Sequence, residues 1–309
     1  MTVKHIINDP FGIPLSKYKI CKVGSNHYIV IGGSNKFLYT DNKMIKWHLG
    51  RTDNTLTNHT LTSVNDGCVV IGGIKNQFNI SNEIAAIKFL DNGQIRLRKS
   101  EFPVPIYNHT TTHAVVNDED ILIVTGGRIR LAGKVSTQDN LTNYNMSTWK
   151  VSRHNVEQLD EMSDFPYPIQ HHSAINIGTQ IYIFGGMLAT DQRIPKTSHS
   201  IYSIELDPKK EGYGIWRLSK LCMPKHLSGH TVLTHNNCIL LIGGNDDYCR
   251  NNYNIYSITI NDLITCNNKF EILDVLPTIV NCENIEYVVK NKHVDLYTQG
   301  DRPHIITLK

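Results

Sequence analysis

Much that would assign a chemistry is missing from this chain of 309 residues. There is no H-E-x-x-H, no G-x-S-x-G, no phosphate-cradling G-x-x-x-x-G-K and no dinucleotide fingerprint behind a strand. Seven cysteines are scattered without a C-x-x-C, which argues against a zinc ribbon. Their odd number favours a reducing, cytoplasmic setting. No apolar run approaches 18 residues, so no membrane-spanning helix is expected. The opening MTVKHIINDP lacks the apolar stretch of a signal peptide. A net charge of +3 is small for this length and makes a nucleic-acid partner an unfavoured reading. No Pro/Ser-rich linker or charge run divides the chain, so residues 1–309 are expected to form a single domain.

Glycine pairs stand out against these absences. Gly32-Gly33, Gly72-Gly73, Gly126-Gly127, Gly185-Gly186 and Gly243-Gly244 each end a short apolar run: HYIVI, GCVVI, ILIVT, QIYIF and CILLI. Successive pairs are 40, 54, 59 and 58 residues apart, a period that marks a repeat architecture. A buried strand that turns sharply at its end needs a residue tolerant of positive φ.

The surroundings repeat too. A strand opening near a histidine precedes four of the pairs, as in NHTLTSVN from Asn58, HHSAINIG from His171 and GHTVLTH from Gly229. His59, His172 and His230 each stand 13 residues before their pair; in the third unit His113 keeps that spacing, while His109 has the matching NHT context. A third strand follows each pair (NEIAAIKF, HSIYSIEL, NIYSITI). A fourth comes after it, often with Trp: IKWHL with Trp47, TWKVS with Trp149, IWRLS with Trp216. In the Gly126 unit the third strand falls around LTNYNMS. Four short antiparallel strands per unit make one propeller blade.

The apolar run ending in GG, the later Tyr39, Tyr202 and Tyr256, and the Trp beyond resemble the kelch repeat over nearly the whole chain. The resemblance implies an all-β fold, a six-bladed β-propeller with four antiparallel strands per blade. The sixth blade is read from IEYVVK, HVDLYTQG and HIITLK, with Gly300 left of its glycine pair. Val3 to Ile7 would supply its fourth strand and close the ring.

Loops after the second strands and before the first strands project from one face. Arg128, Arg130 and Lys134 follow the third pair, Arg193 and Lys196 follow the fourth, and Phe165, Tyr167 and Met187 lie in the longest loops. Solvated loop charge explains the cations most simply; a small anionic ligand or an acidic partner is the alternative. Aromatic and Met side chains on loops of a rigid scaffold suit a protein partner. His59, His109, His172 and His230 would stand near one mouth of the channel. A structural role fits a residue repeated in each blade better than a metal site, so neither metal nor cofactor is expected.

Two further resemblances imply alternatives. Phe11 to Asn35 is similar to the opening of kelch-type sialic acid mutarotases, which implies sugar epimerase chemistry. Phe102 to Arg128 is similar to the kelch part of tRNA wybutosine-synthesising methyltransferases, which implies a detached domain linked to tRNA modification. The leading expectation is a non-enzymatic kelch module that binds a protein through one face.

Overall fold

A computed structural model describes residues 3–8, 18–23, 27–32, 36–41, 48–51, 55–65, 67–76, 78–90, 95–130, 143–152, 155–159, 164–189, 196–278, 283–290, 293–299 and 304–308. The fold is almost entirely antiparallel β-sheet. Six units of four strands can be followed along the chain. The first comprises Tyr18–Val23, His27–Gly32, Lys36–Asp41 and His48–Arg51. The second comprises Thr60–Val64, Gly67–Ile71, Glu83–Phe89 and Ile95–Glu101. The third comprises Thr110–Val116, Glu119–Thr125, Trp149–Val151 and Val156–Gln158.

The fourth and fifth units share a strand. Ser173–Ile177, Gln180–Phe184 and Lys196–Glu205 are completed by the front part of Arg217–His235. The rear part of that strand opens the fifth unit and pairs with Cys238–Asn245, which is followed by Asn254–Thr259 and Glu271–Val275. The sixth unit takes Glu286–Lys290, His293–Tyr297 and His304–Leu308 from the end of the sequence and Val3–Asn8 from its start. Ile6 pairs antiparallel with Ile306, and Asn8 with His304. The one α-helix among the described residues, Ile260–Thr265, is N-capped by Thr259, whose side chain accepts from the Asp262 N–H.

First strands of successive units lie side by side, from Tyr18–Val23 through Thr60–Val64, Thr110–Val116 and Ser173–Ile177 to the shared strand. Glu286–Lys290 adjoins the first unit again. Apolar clusters fill the spaces between neighbouring sheets. Val69, Ile71, Phe102, Leu122 and Val124 join the second and third units, and Leu233, Ile242, Val294 and Ile306 join the fifth and sixth. A second strand is therefore covered on both faces, as in the wholly buried Gly67–Ile71. That is why these strands read as unbroken apolar runs rather than as alternating ones.

The choice between His109 and His113 falls to His109, and two sequence expectations change. In the third unit both hairpin strands have seven residues, against five in the second and fourth units. The longer hairpin moves the equivalent histidine from spacing 13 to His109. His113 instead lies within the strand, 2.8 Å from Asp120. Trp149 opens the third strand of that unit, not the fourth, because Val124 pairs with it directly. In the sixth unit the register that holds glycines elsewhere falls on Thr298-Gln299. Glu286 pairs with Tyr297, and the Thr298 N–H donates to the His304 carbonyl at 3.0 Å. Gly300, Lys134 and Arg193 lie outside the described residues.

Candidate functional site

Each first strand begins with the same three-residue step. Its middle member is Tyr18, His59, His109, His172, His230 or Ile285 in units one to six. The residue before it turns into the left-handed region at Asn58, Asn108, His171, Gly229 and Asn284, with φ between 50° and 63°. Asn and Gly enter that region at little cost, and His171 is the exception. The turn points each N–H back at the preceding unit. Asn284 donates to Gly229, Gly229 to His171, His171 to Asn108 and Asn108 to Asn58, at 2.7, 2.9, 3.3 and 3.1 Å between backbone N and O.

The middle histidines wedge the units together. A Cβ on Gly126 would stand 2.6 Å from His172 Cε1, and one on Gly186 would stand 2.7 Å from His172 Cβ. The imidazole is thus clamped between the first glycine of the preceding unit and the second glycine of its own. Gly72 and Gly127 hold His109 in the same way. The third member of the step reaches onward: Thr60 Oγ1 lies 3.1 Å from His109 Nε2, and Thr110 Oγ1 lies 2.8 Å from His172 Nε2. His59 and His230 instead face the carbonyls of Ile31 and Phe184 without full hydrogen-bond geometry.

Burial holds all four imidazoles neutral. It pushes His59, His109 and His172 down to about 3 and His230 down to about 4. The Lys19 ammonium depresses His59 and His109 further.

Where the sixth unit meets the first, the chemistry differs. Tyr18 takes the histidine place and donates its hydroxyl to the Thr298 carbonyl at 3.0 Å. The Gln299 amide brackets the Tyr18 backbone, accepting from its N–H at 3.3 Å and donating to its carbonyl at 2.9 Å. Lys19 and Glu286 form an ion pair at 2.6 Å, and Glu286 Oε2 also accepts from the Ile20 N–H. These steps surround a cavity of about 460 Å³ whose wall includes Lys19, Asn58, Asn108, His171, Glu283 and Glu286. Both members of the Lys19–Glu286 pair are thereby committed to each other on its wall.

A family described as the KLHDC2/KLHL20/DRC7 Kelch-repeats domain matches residues 58–271, more than half of the sequence. The chain belongs to the kelch-repeat family. A Rho GTPase-activating protein, gacHH of Dictyostelium discoideum, is 31% identical over 104 residues, which are 31% of this kelch chain and 7% of that protein. The chain thus spans only a small part of the curated relative it matches.

The glycine ends of the kelch second strands and the starts of the first strands share one face with the cavity. Arg128 bridges Tyr107 and Tyr144 through its backbone, and its guanidinium lies over the Tyr144 ring at 5.1 Å, outside the cavity wall. Arg130 and Lys196 are exposed. Tyr167 is half-exposed, and Met187 is partly buried with its sulfur accepting from Gln170 Nε2.

Phe165 is a correction. It is fully buried, edge-on to Tyr202 and Trp216 with centroids 4.9 and 5.1 Å away, so it anchors the loop to the sheets and offers no surface. Two exposed aromatics were missed by reading long loops alone. Phe78 tips the small hairpin of Ile74–Lys75 and Asn79–Ile80, and Tyr248 tips the turn after Gly244, at 74% and 78% exposure. An aromatic beside Asn or Asp just after a glycine pair was the available signal.

Proposed function

We propose that this chain is a protein-binding kelch module. In this reading residues 1–309 form one domain, the six units are propeller blades, and Val3–Asn8 closes the ring. The binding surface is the face that carries the glycine turns. The observation behind it is the exposure of Phe78, Tyr167 and Tyr248 on separate loops of that face. Each loop is held by sheets buried on both sides, so the aromatics are presented with little freedom to lose. Arg128, Arg130 and Lys196 stand among them, and Arg250 lies 4.9 Å from the Tyr248 ring centroid while paired with Asp246. In sequence, Lys134 follows the same glycine pair as Arg128 and Arg130, and Met187 and Arg193 follow the same pair as Lys196. The matching partner is an acidic protein segment that brings apolar side chains to the aromatics. No helix among the described residues is long and apolar enough to cross a membrane. The odd cysteine count fits a cytoplasmic setting.

Affinity capture with the wild-type chain and with a Phe78→Ala/Tyr167→Ala/Tyr248→Ala variant tests the reading. A partner recovered by the wild type should be lost from the variant while its melting temperature stays within a few degrees. Retention of every captured protein by a folded variant would refute this face as the binding surface.

A further inference from the structure

One cluster of chemistry-bearing side chains has no part in the ring of wedged histidines or in the aromatic loops. The shared strand Arg217–His235 is irregular against Lys196–Glu205. Ser198 pairs with Leu227 and Ser200 with Cys222, so two steps on one strand face five on the other. Met223 to His226 stand opposite His199 alone. Bulges of this kind re-aim side chains, and this one sends Met223 inward against Gly185 while His226 turns to His199. The two imidazole rings stand 4.0 Å apart between centroids, tilted by 56°. His199 Nδ1 is 3.4 Å from His226 Nδ1, and the Thr197 carbonyl is 2.9 Å from that same His226 nitrogen.

The donor pattern is specific. A carbonyl only accepts, so His226 carries its ring proton on Nδ1 and donates it to Thr197. His199 Nδ1 is then a lone pair beside it. Two nitrogens bound to one tetrahedral zinc ion, at about 2.0–2.1 Å each, lie about 3.3–3.4 Å apart. The pair is already at that bite. His226 is exposed and His199 is partly so, which leaves a path from solvent. Asp247 adds a carboxylate to the neighbourhood, because Oδ1 accepts from the Thr197 N–H and hydroxyl at 2.5 and 2.7 Å. Lys196 and Lys225 flank the histidines in sequence and oppose a cation, which sets a ceiling on affinity.

We propose that His199 and His226 form a binding site for a divalent transition-metal ion of the zinc class, chelated through both Nδ1 atoms. On binding, the His226 proton shifts from Nδ1 to Nε2, and both Nδ1 lone pairs enter the metal's coordination sphere. Water completes the remaining positions.

Calorimetric titration of the full chain with zinc chloride at pH 7.5, after chelator treatment, is the direct test. The expected result is one zinc ion per chain with a dissociation constant in the micromolar range. His199→Asn and His226→Asn should each weaken binding at least tenfold, because each converts a chelate into a single ligand. Zinc should also raise the melting temperature of the wild type and leave that of the double variant unmoved, which separates site loss from misfolding. Zinc uptake by the folded double variant equal to that of the wild type, or no uptake by the wild type up to millimolar zinc, would overturn the site.

Discussion

Acidification should unlock the seams between the units before it touches their carboxylates. His59, His109, His172 and His230 are buried and held at about 3 to 4, against 6.5 for an unhindered imidazole. A group depressed in the fold binds its proton more readily when unfolded. Its contribution is complete above pH 6.5 and is lost as the pH falls toward the folded value. Between pH 7.5 and 5.5 each histidine gives up a little over 1 kcal/mol, and the four together about 5 kcal/mol. That is a large share of the 5–15 kcal/mol typical of a folded protein. Glu83 and Glu205 are held below the ordinary carboxylate range, Glu83 by Lys75 and Lys99 against the opposing effect of burial, and their losses begin only below about pH 4.5. Urea unfolding followed by tryptophan fluorescence at pH 7.5, 6.5, 6.0 and 5.5 reads the difference. Burial also holds His171 down to about 4, so a His172→Gln/His230→Gln variant should lose about two fifths of the pH dependence, whatever its stability at neutral pH. Equal unfolding midpoints at pH 7.5 and 5.5 would refute the reasoning, as would an undiminished slope in the variant.

Two further outcomes follow from the geometry. Gly186→Ala meets His172 Cβ at 2.7 Å and the Gln170 carbonyl at 3.0 Å with φ at +95°, whereas Gly178→Ala, at φ +61°, meets nothing within 4 Å. The first should cost about 3 kcal/mol or more and the second about 1–2 kcal/mol in urea unfolding, and equal costs would deny the wedge. Deleting residues 1–8 strips the partner from His304–Leu308 and bares a sheet edge. Its melting temperature should fall by several degrees, and an unchanged value would mean that the pairing contributes nothing to the fold.

The glycine pairs made the second strands legible because burial on both faces leaves an apolar run that only a sharp turn can end. The role of the histidines was legible only in outline. Their repetition said structure, but spacing could not say that His172 sits on Gly126 of another unit, since that contact crosses a sheet interface. The third unit offered both His109 and His113, because two added residue pairs in the hairpin shift the count while leaving the strand pattern intact, and the NHT context was the signal that pointed to His109. The sixth unit hid its turn because Thr298-Gln299 replaces glycine, with Gln299 bonding the Tyr18 backbone instead. On the face, loop length misled: Phe165 lies in a long loop yet is buried, whereas Phe78 and Tyr248 stand out from short ones. Length measures the room a chain has, not the direction its side chains take.

The pairing of Ile6 with Ile306 has a consequence for how the protein is made. Val3–Asn8 leaves the ribosome about 300 residues before the strand it pairs with. At roughly 5–20 residues per second that is a wait of roughly 15–60 s. Throughout that time the four-stranded units from Tyr18 onward can pack in order, each on the one before it. The early strand VKHIIN stays an unclaimed β-segment with two adjacent isoleucines, open to any exposed sheet edge nearby. Pairing of Val3–Asn8 with His304–Leu308 is therefore a late event of long loop closure, and the interval before it is when a nascent-chain chaperone has most to protect.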